Sequence, residues 1–318
     1  MDDPGRKVAM VTGANAGIGK DVARQLSLSG RYRKIYLACR DQTKAHAAQA
    51  ELQDATGKAI FEVVVVDVAD LASVRAAVAS LEEPVDDLVM NAGGSGGKAP
   101  LSLTKDGVTE IFASNVLGHV ALLEGLIDAG KLTRAAVYAG SEAARGVHKL
   151  GMKRPVLKTG SVDEFAALCD GTYFRGRKPD DRLAYGQVKL VAALWMASMA
   201  RRHPKLRLIT MSPGNTSGTD IARDFPLPVR ALMKYVLMPI VMPLFGIVQS
   251  LEKGARRHVD ALDDVALKSG VFYASKVDAL TGPVVDQSTF MPELANATYQ
   301  DHASEAVHRF IPAAARAA

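Results

Sequence analysis

Four side chains, in a fixed order along the chain, could together move a proton. Tyr185 and Lys189 are four residues apart in a strongly helical stretch and so share one face of the helix. A free phenol titrates near 10, too high for easy exchange at neutrality. A neighbouring ammonium favours the phenolate and lowers that value, so Tyr185 is expected to give a proton in a reduction and to take one in an oxidation. Ser141 follows an apolar run, Ala135 to Ala139, where a hydroxyl can hold a substrate oxygen. Asn115 lies in the helical stretch before that run. Each feature alone has an ordinary explanation. Tyr/Lys pairs are common on helix surfaces, a serine can cap a loop, and an asparagine can satisfy backbone groups.

A second constellation near the start gives the first a purpose. The segment Thr12-Gly13-Ala14-Asn15-Ala16-Gly17-Ile18-Gly19 joins an apolar run to a helical one. Three glycines at such a joint let the backbone turn sharply and approach an anion. The unpaired N–H groups of the helix start then face a pyrophosphate, which makes Gly13, Asn15, Gly17, Ile18 and Gly19 dinucleotide-binding candidates. At the tip of the next apolar run stands Cys39-Arg40-Asp41. An arginine there pairs with a 2′-phosphate, so Arg40, assisted by Lys44, selects NADP(H) over NAD. Asp67 is a candidate for the adenine amino group or, equally, a helix cap. NADPH supplies the hydride.

The elements that must position these residues alternate. Lys7 to Thr12, Lys34 to Cys39, Phe61 to Val66, Asp87 to Met90 and Ala135 to Ala139 read as buried strands. Between them, Gly17 to Leu28, Thr43 to Asp54, Asp70 to Leu81 and Gly107 to Ile127 read as helices. This rhythm implies βαβ units and a doubly wound parallel sheet. It breaks at 145–180, a Gly-, Lys- and Arg-rich stretch expected to hold at most short helices. Asp181 to Arg202 reads as a helix, Leu206 to Met211 as a strand, Ser250 to Leu262 as a helix and Gly270 to Ala274 as a last strand.

The sequence resembles the short-chain dehydrogenase/reductase family. The features that carry the likeness are the glycine motif, Asp67-Val68, Asn91-Ala92-Gly93, Asn115, Ser141, Tyr185-x-x-x-Lys189 and Pro213-Gly214, in that order, over residues 7 to about 220. Leu37-Ala38-Cys39-Arg40-Asp41 and Asn115-Val116-Leu117-Gly118-His119 resemble the retinol dehydrogenase and protochlorophyllide reductase branch. The long insert and Ser269-Gly270-Val271-Phe272-Tyr273 lean toward the latter. The resemblance implies a single-domain Rossmann fold over 1–318, with a parallel seven-stranded sheet, an insertion at 145–180 before the Tyr185 helix, and a substrate lid region at 215–262. It implies that Asn115, Ser141, Tyr185 and Lys189 are catalytic, Asn115 supporting a proton relay through water and the lysine. Val68, Asn91, Ala92, Gly93, Tyr185, Lys189, Pro213, Gly214 and Thr216 are expected beside the cofactor.

Phe225 to Val248 is apolar and proline-interrupted. It suits the wall of a bulky hydrophobic substrate site, a subunit contact, or a contact with a membrane surface. The activity expected is oxidoreduction of a hydrophobic ketone, aldehyde or alcohol. The alternatives are reduction of a ring C=C bond, as in protochlorophyllide reductase, and a non-catalytic NADP(H)-binding regulator. Cys169 falls in the insert and is expected to be a small buried residue.

Composition bounds the rest. The chain has 318 residues, 48% hydrophobic and 23% charged, as in ordinary globular proteins. Its two cysteines exclude a disulfide framework and a Cys-rich zinc module. The seven histidines show no metal-ligand spacing, so no metal is expected. Net charge is +5, from 39 basic and 34 acidic residues, but no nucleic-acid motif accompanies it. The longest apolar run, Val236 to Val248, is broken by Pro239 and Pro243 and falls short of the roughly 20 residues of a spanning helix. The acidic start, Met1-Asp2-Asp3-Pro4-Gly5, is unlike a signal peptide. A cytoplasmic location, with 225–248 as a candidate peripheral membrane contact, is expected, and a homo-oligomer is compatible.

Overall fold

A computed structural model describes residues 6–217 and 248–312. Its centre is a sheet of β1 (Lys7–Thr12), β2 (Tyr32–Cys39), β3 (Phe61–Val65), β4 (Val85–Met90), β5 (Leu132–Ala139), β6 (Arg207–Met211), β7 (Phe272–Ser275) and β8 (Val284–Asp286). The spatial order is β3-β2-β1-β4-β5-β6-β7-β8. The first seven of these neighbours run parallel, as expected, with Thr12 beside Ala38 and Met10 beside Leu88. β8 adds an eighth, antiparallel strand on β7, too short and too little alternating to stand out in the sequence. Winding reverses between β1 and β4, and a crevice at such a switch point opens beyond the carboxyl ends of the strands.

Both faces of the sheet are covered because the strands are apolar on both sides. One face receives α1 (Gly17–Leu28), α2 (Gln42–Thr56) and α7 (Leu251–Asp263), whose Val22, Leu26, Leu52 and Leu262 pack on Val11, Ile35 and Leu37. The other receives α3 (Leu71–Ser80), α4 (Gly118–Asp128) and α6 (Asp181–Arg202), whose Val74, Leu123, Leu194 and Trp195 pack on Met10, Leu88 and Met90. The long helix expected from Gly107 starts later. A turn at Glu110–Phe112 leads into a π turn at Ala113–Leu117 and only then into α4.

The insert holds α5 (Val162–Cys169) between short 3-10 turns. It packs with α8 (Ala297–His308), a C-terminal helix not foreseen, against the outer side of α6. That cover explains why α6 is buried almost continuously from Gly186 to Ala200. Two stretches, Glu110–Asp128 and Asp181–Arg202, are long and apolar enough to cross a membrane, but 67% and 89% of their apolar windows is buried inside the protein. The lid region is described only at its ends, up to Ser217 and from Val248; the apolar residues at 225–247 lie outside the described residues.

Candidate active site

The glycine segment folds into the tight joint its composition requires. Gly13 has φ +67° and its N–H donates to Ala38 O at 2.8 Å. A Cβ on Gly19 would stand 2.5 Å from both Gly13 O and Asn91 Nδ2, so the helix start can approach the strand only as glycine. Gly17, at φ +53°, faces open space. Asp41, Asp70, Asp180, Ser250 and Asn296 cap their helices with side-chain oxygens. α1, by contrast, begins at Ala16 with no side-chain cap. Its first N–H groups are therefore left for an anion. Cys39 lies beneath the loop, its sulfur accepting from Ala14 and Asn15 N–H, and burial pushes its thiol up to about 11. Ile18 packs partly into the core beside α1.

Arg40 does not pair with Asp41. It is exposed, with 76% of its side chain in solvent, and its guanidinium lies 3.7 Å from Asp67 Oδ2. Lys44 pairs instead with Asp41, at 3.2 Å. Asp67 Oδ1 accepts from Ala69 N–H, so this carboxylate also holds its own turn. Val68 presses on the start of α4: a Cβ on Gly118 would come within 1.7 Å of Val68 O.

Asn91-Ala92-Gly93 closes over β1. Asn91 Nδ2 donates to Thr12 O at 3.0 Å, and the Asn91 and Ala92 N–H groups both reach Thr12 Oγ1 at 2.9 Å. With two bonds accepted, the Thr12 hydroxyl donates its own proton to His119 Nε2, 3.0 Å away. His119 therefore carries its proton on Nδ1, which donates to Asn115 O at 2.9 Å. Burial holds this imidazole neutral, down to about 4. The Asn115 side chain clamps the backbone of Gly94, donating to its carbonyl at 2.8 Å and accepting from its N–H at 3.2 Å.

The proton-handling groups meet beyond β5. Ser141 caps the 3-10 turn Glu142–Arg145, accepting from Ala143 N–H at 3.2 Å, and its hydroxyl hydrogen-bonds the half-buried Tyr185 phenol. α6 reaches this turn closely because position 186 is glycine; a Cβ there would lie 2.6 Å from Ala143 O. Lys189 is 4% exposed. Its ammonium donates to Ala139 O at 2.9 Å and to Tyr138 Oη at 3.3 Å, and lies 5.6 Å from the Tyr185 ring centre.

One expectation is corrected here. The Tyr185 phenol is raised, not lowered: burial pushes it up, the Ser141 hydrogen bond opposes this, and buried Glu142 adds to the rise. Lys189 yields instead, brought down to about 7 by burial. The Asn115 carbonyl accepts from His119 and, at 2.9 Å, from the Tyr138 hydroxyl.

Pro213 and Gly214 form a packed turn beyond β6, where a Cβ on Gly214 would meet Arg257 and Gln249 at 2.8 Å. Thr216 is buried with its hydroxyl donating to Gly214 O at 3.0 Å, within its own turn rather than toward the crevice. Cys169 is fully buried on α5, its thiol donating to Phe165 O and pushed well above its usual range by burial. Among the described residues no cluster of metal-ligating side chains occurs.

Tyr138, His119 and the buried pair Glu142–Arg257 were not singled out from sequence. Arg257 bonds Ser212 O at 3.1 Å and Ser275 Oγ at 3.0 Å, and ties the turns after β5, β6 and β7 to one another. In the sequence each of these residues sits inside an ordinary strand, helix or turn pattern, so only long-range contact reveals it.

Comparison with known proteins agrees with this geometry. The family model for short chain dehydrogenase matches residues 7–138. Retinol dehydrogenase 12 of Bos taurus is 36% identical over 151 residues, 46% of each chain, and retinol dehydrogenase 11 of Mus musculus is 41% identical over 125 residues, 38% of each chain. The chain thus spans less than half the length of these two relatives. A short-chain dehydrogenase/reductase of Armillaria gallica is 31% identical over 249 residues, 76% of this chain and 75% of that one. Among solved structures, salutaridine reductase from Papaver somniferum superposes with TM-score 0.60 at 20% identity, over 85% of this chain and 100% of that chain. L-sorbose reductase from Gluconobacter frateurii, complexed with NADPH and L-sorbose, gives TM-score 0.61 at 19% identity, over 87% and 97%. The chain belongs to the short-chain dehydrogenase/reductase family.

Proposed function

We propose that this protein transfers a hydride between NADP(H) and a hydrophobic ketone, aldehyde or alcohol. The observation that carries this reading is the Tyr185 phenol, bonded to Ser141 and one helical turn from Lys189, at the sheet edge onto which the uncapped α1 opens. The residues present fit the cofactor. The N–H groups of α1 would hold the pyrophosphate, Arg40 would turn from Asp67 to a 2′-phosphate, and Asn91 to Gly93 would border the nicotinamide end. The nicotinamide supplies or accepts the hydride when bound. Ser141 orients the substrate oxygen, Tyr185 delivers its proton in reduction, and Lys189 stabilises the phenolate left behind. A raised phenol and an ammonium lowered to about 7 move the two groups' proton affinities apart, so the phenol stays protonated and ready to donate.

A cleft of about 360 Å³ lies beyond the carboxyl ends of β5 and β7. Val147, Leu280, Phe290 and Met291 give it an apolar wall, with His148 and Lys149 among its lining, which supports a lipophilic substrate. A larger cleft of about 590 Å³, between α1 and α7, is lined mainly by charged residues at the opposite end of the sheet and does not serve this chemistry. Reduction of a ring C=C bond is the weaker reading, since Cys169 is closed off from the crevice. A regulator that only sensed NADP(H) would not require the Tyr185 proton donor.

The location proposed is cytoplasmic, with 225–248 as the segment to test for contact with anionic vesicles. Self-association is proposed to avoid the outer face of α6, which α5 and α8 cover. The function is tested by following oxidation of NADPH and NADH over a series of lipophilic ketones, aldehydes and polycyclic compounds. Turnover of a carbonyl with NADPH preferred is expected; preference for NADH, or turnover confined to a pigment C=C bond, would overturn the assignment.

A further inference from the structure

The catalytic lysine is held from behind by a tyrosine that belongs to neither sequence motif. Tyr138 is fully buried on β5. Its hydroxyl accepts from Lys189 Nζ at 3.3 Å and donates to Asn115 O at 2.9 Å. The ammonium also lies 4.9 Å from the centre of the Tyr138 ring, and His119 meets that ring edge-on at 5.8 Å. The direction of each bond follows from what each atom has to give. An ammonium has only donors, so Tyr138 accepts from it, and the phenol's single proton goes to the Asn115 carbonyl. That carbonyl also takes the His119 Nδ1 proton, and His119 Nε2 takes the Thr12 hydroxyl proton. The chain of donors therefore ends on a carbonyl that has no proton to pass on.

We infer that Tyr138 is a positioning residue: it fixes the Lys189 ammonium through its hydroxyl and turns its own proton away from the site, onto the Asn115 carbonyl. This rests on the reading of Tyr185 and Lys189 given above. A phenylalanine would fill the strand position, but it would leave the ammonium one acceptor short and the Asn115 carbonyl one donor short. The arrangement also links Lys189 to Thr12, at the start of the glycine joint, through Tyr138, the Asn115 carbonyl and His119.

The groups facing Lys189 make its titration readable. His119 from α4 and His258 from α7 are both held by burial down to about 4. Tyr138 and Tyr185 are both raised by burial, and Glu142 acts on Tyr185. Among these neighbours, no other group changes charge near neutrality.

The test uses full-length protein carrying lysine labelled with ¹³C at Cε, with the Lys189 resonance assigned by its loss in Lys189→Arg. In Tyr138→Phe, which keeps the ring, the Lys189 midpoint is expected to fall by about half to one pH unit, the worth of one hydrogen bond to the ammonium. The kcat is expected to fall by about threefold to tenfold for the same bond, with NADPH affinity changing less, since Tyr138 reaches the expected cofactor contacts only through Lys189. A Lys189 midpoint that coincides with that of the unaltered protein would overturn the inference. Should Tyr138→Phe fold poorly, 3-fluorotyrosine placed at 138 keeps the shape while weakening the acceptor. Its midpoint must move the same way, and a fixed midpoint again refutes the role. Tyr185→Phe separates the two readings: full turnover in that variant removes the proposed function, whereas a dead Tyr185→Phe beside an unshifted Tyr138→Phe removes only this inference.

Discussion

The half of the molecule built from β1 to β4 and the half from β5 onward solve different problems in different ways. The first binds with backbone. Its grip depends on Gly13, Gly19 and an uncapped helix start, while its buried carboxylate, Asp87, is held by Tyr32 and Arg134 rather than by the glycine joint. The second works with side chains. Lys189, Glu142 and Arg257 are buried there, each held by named partners from distant parts of the chain. Backbone recognition follows from local sequence. A buried charge exists only where the folded chain brings it a partner, and it shifts in proton affinity as a result.

If this division holds, substitutions in the two halves fail differently. The largest effect is expected for Tyr185→Phe, which removes the proton donor: kcat should fall by about 10²- to 10⁴-fold while NADPH binds within about twofold of normal. Gly19→Ala should do the opposite. A Cβ there meets Gly13 O and Asn91 Nδ2 at 2.5 Å, costing about 1–3 kcal/mol of strain. A weakening of NADPH binding of about tenfold or more is expected by titration, and turnover at saturating cofactor should largely survive. Loss of turnover without loss of affinity in Gly19→Ala would blur the boundary.

A smaller effect is expected at Arg40. Arg40→Ser should reduce the preference for NADPH over NADH by about tenfold, the worth of one charge-assisted bond less the cost of leaving Asp67. Equal affinities for the two cofactors in the unaltered protein would remove that role altogether.

The smallest is a pH effect on stability where α4 meets α8. His308 Nε2 lies 2.7 Å from Glu124 Oε2, and the carboxylate raises the imidazole above its usual value despite burial. The stabilisation is fully present below the unfolded value near 6.5 and is lost as pH rises through the folded one. Glu124→Gln should therefore cost about 1 kcal/mol near pH 6 and markedly less above pH 8, read by denaturant titration.

The same contrast governs what the sequence reveals. α1 and α6 were legible to the residue, Gly17–Leu28 and Asp181–Arg202, because a glycine joint, an aspartate cap and a following proline are local signals. What sequence missed depends on distant partners. α8 exists as a cover for α6, and β8 as an extension of β7. Tyr138 looks like one more large residue in a buried strand until Lys189 and Asn115 arrive from elsewhere in the chain. The direction of the Tyr185 shift was missed for a related reason: spacing placed Lys189 on the right helical face, but burial acts on both groups and outweighs their mutual effect.

The most direct test of the central claim is to follow deuterium from NADPH labelled at the nicotinamide C4 into the product of a lipophilic ketone. Deuterium on the new carbinol carbon, with the hydroxyl proton drawn from solvent, is the expected result. Deuterium on a saturated ring carbon, or no transfer while NADPH remains bound, would contradict carbonyl reduction by this protein.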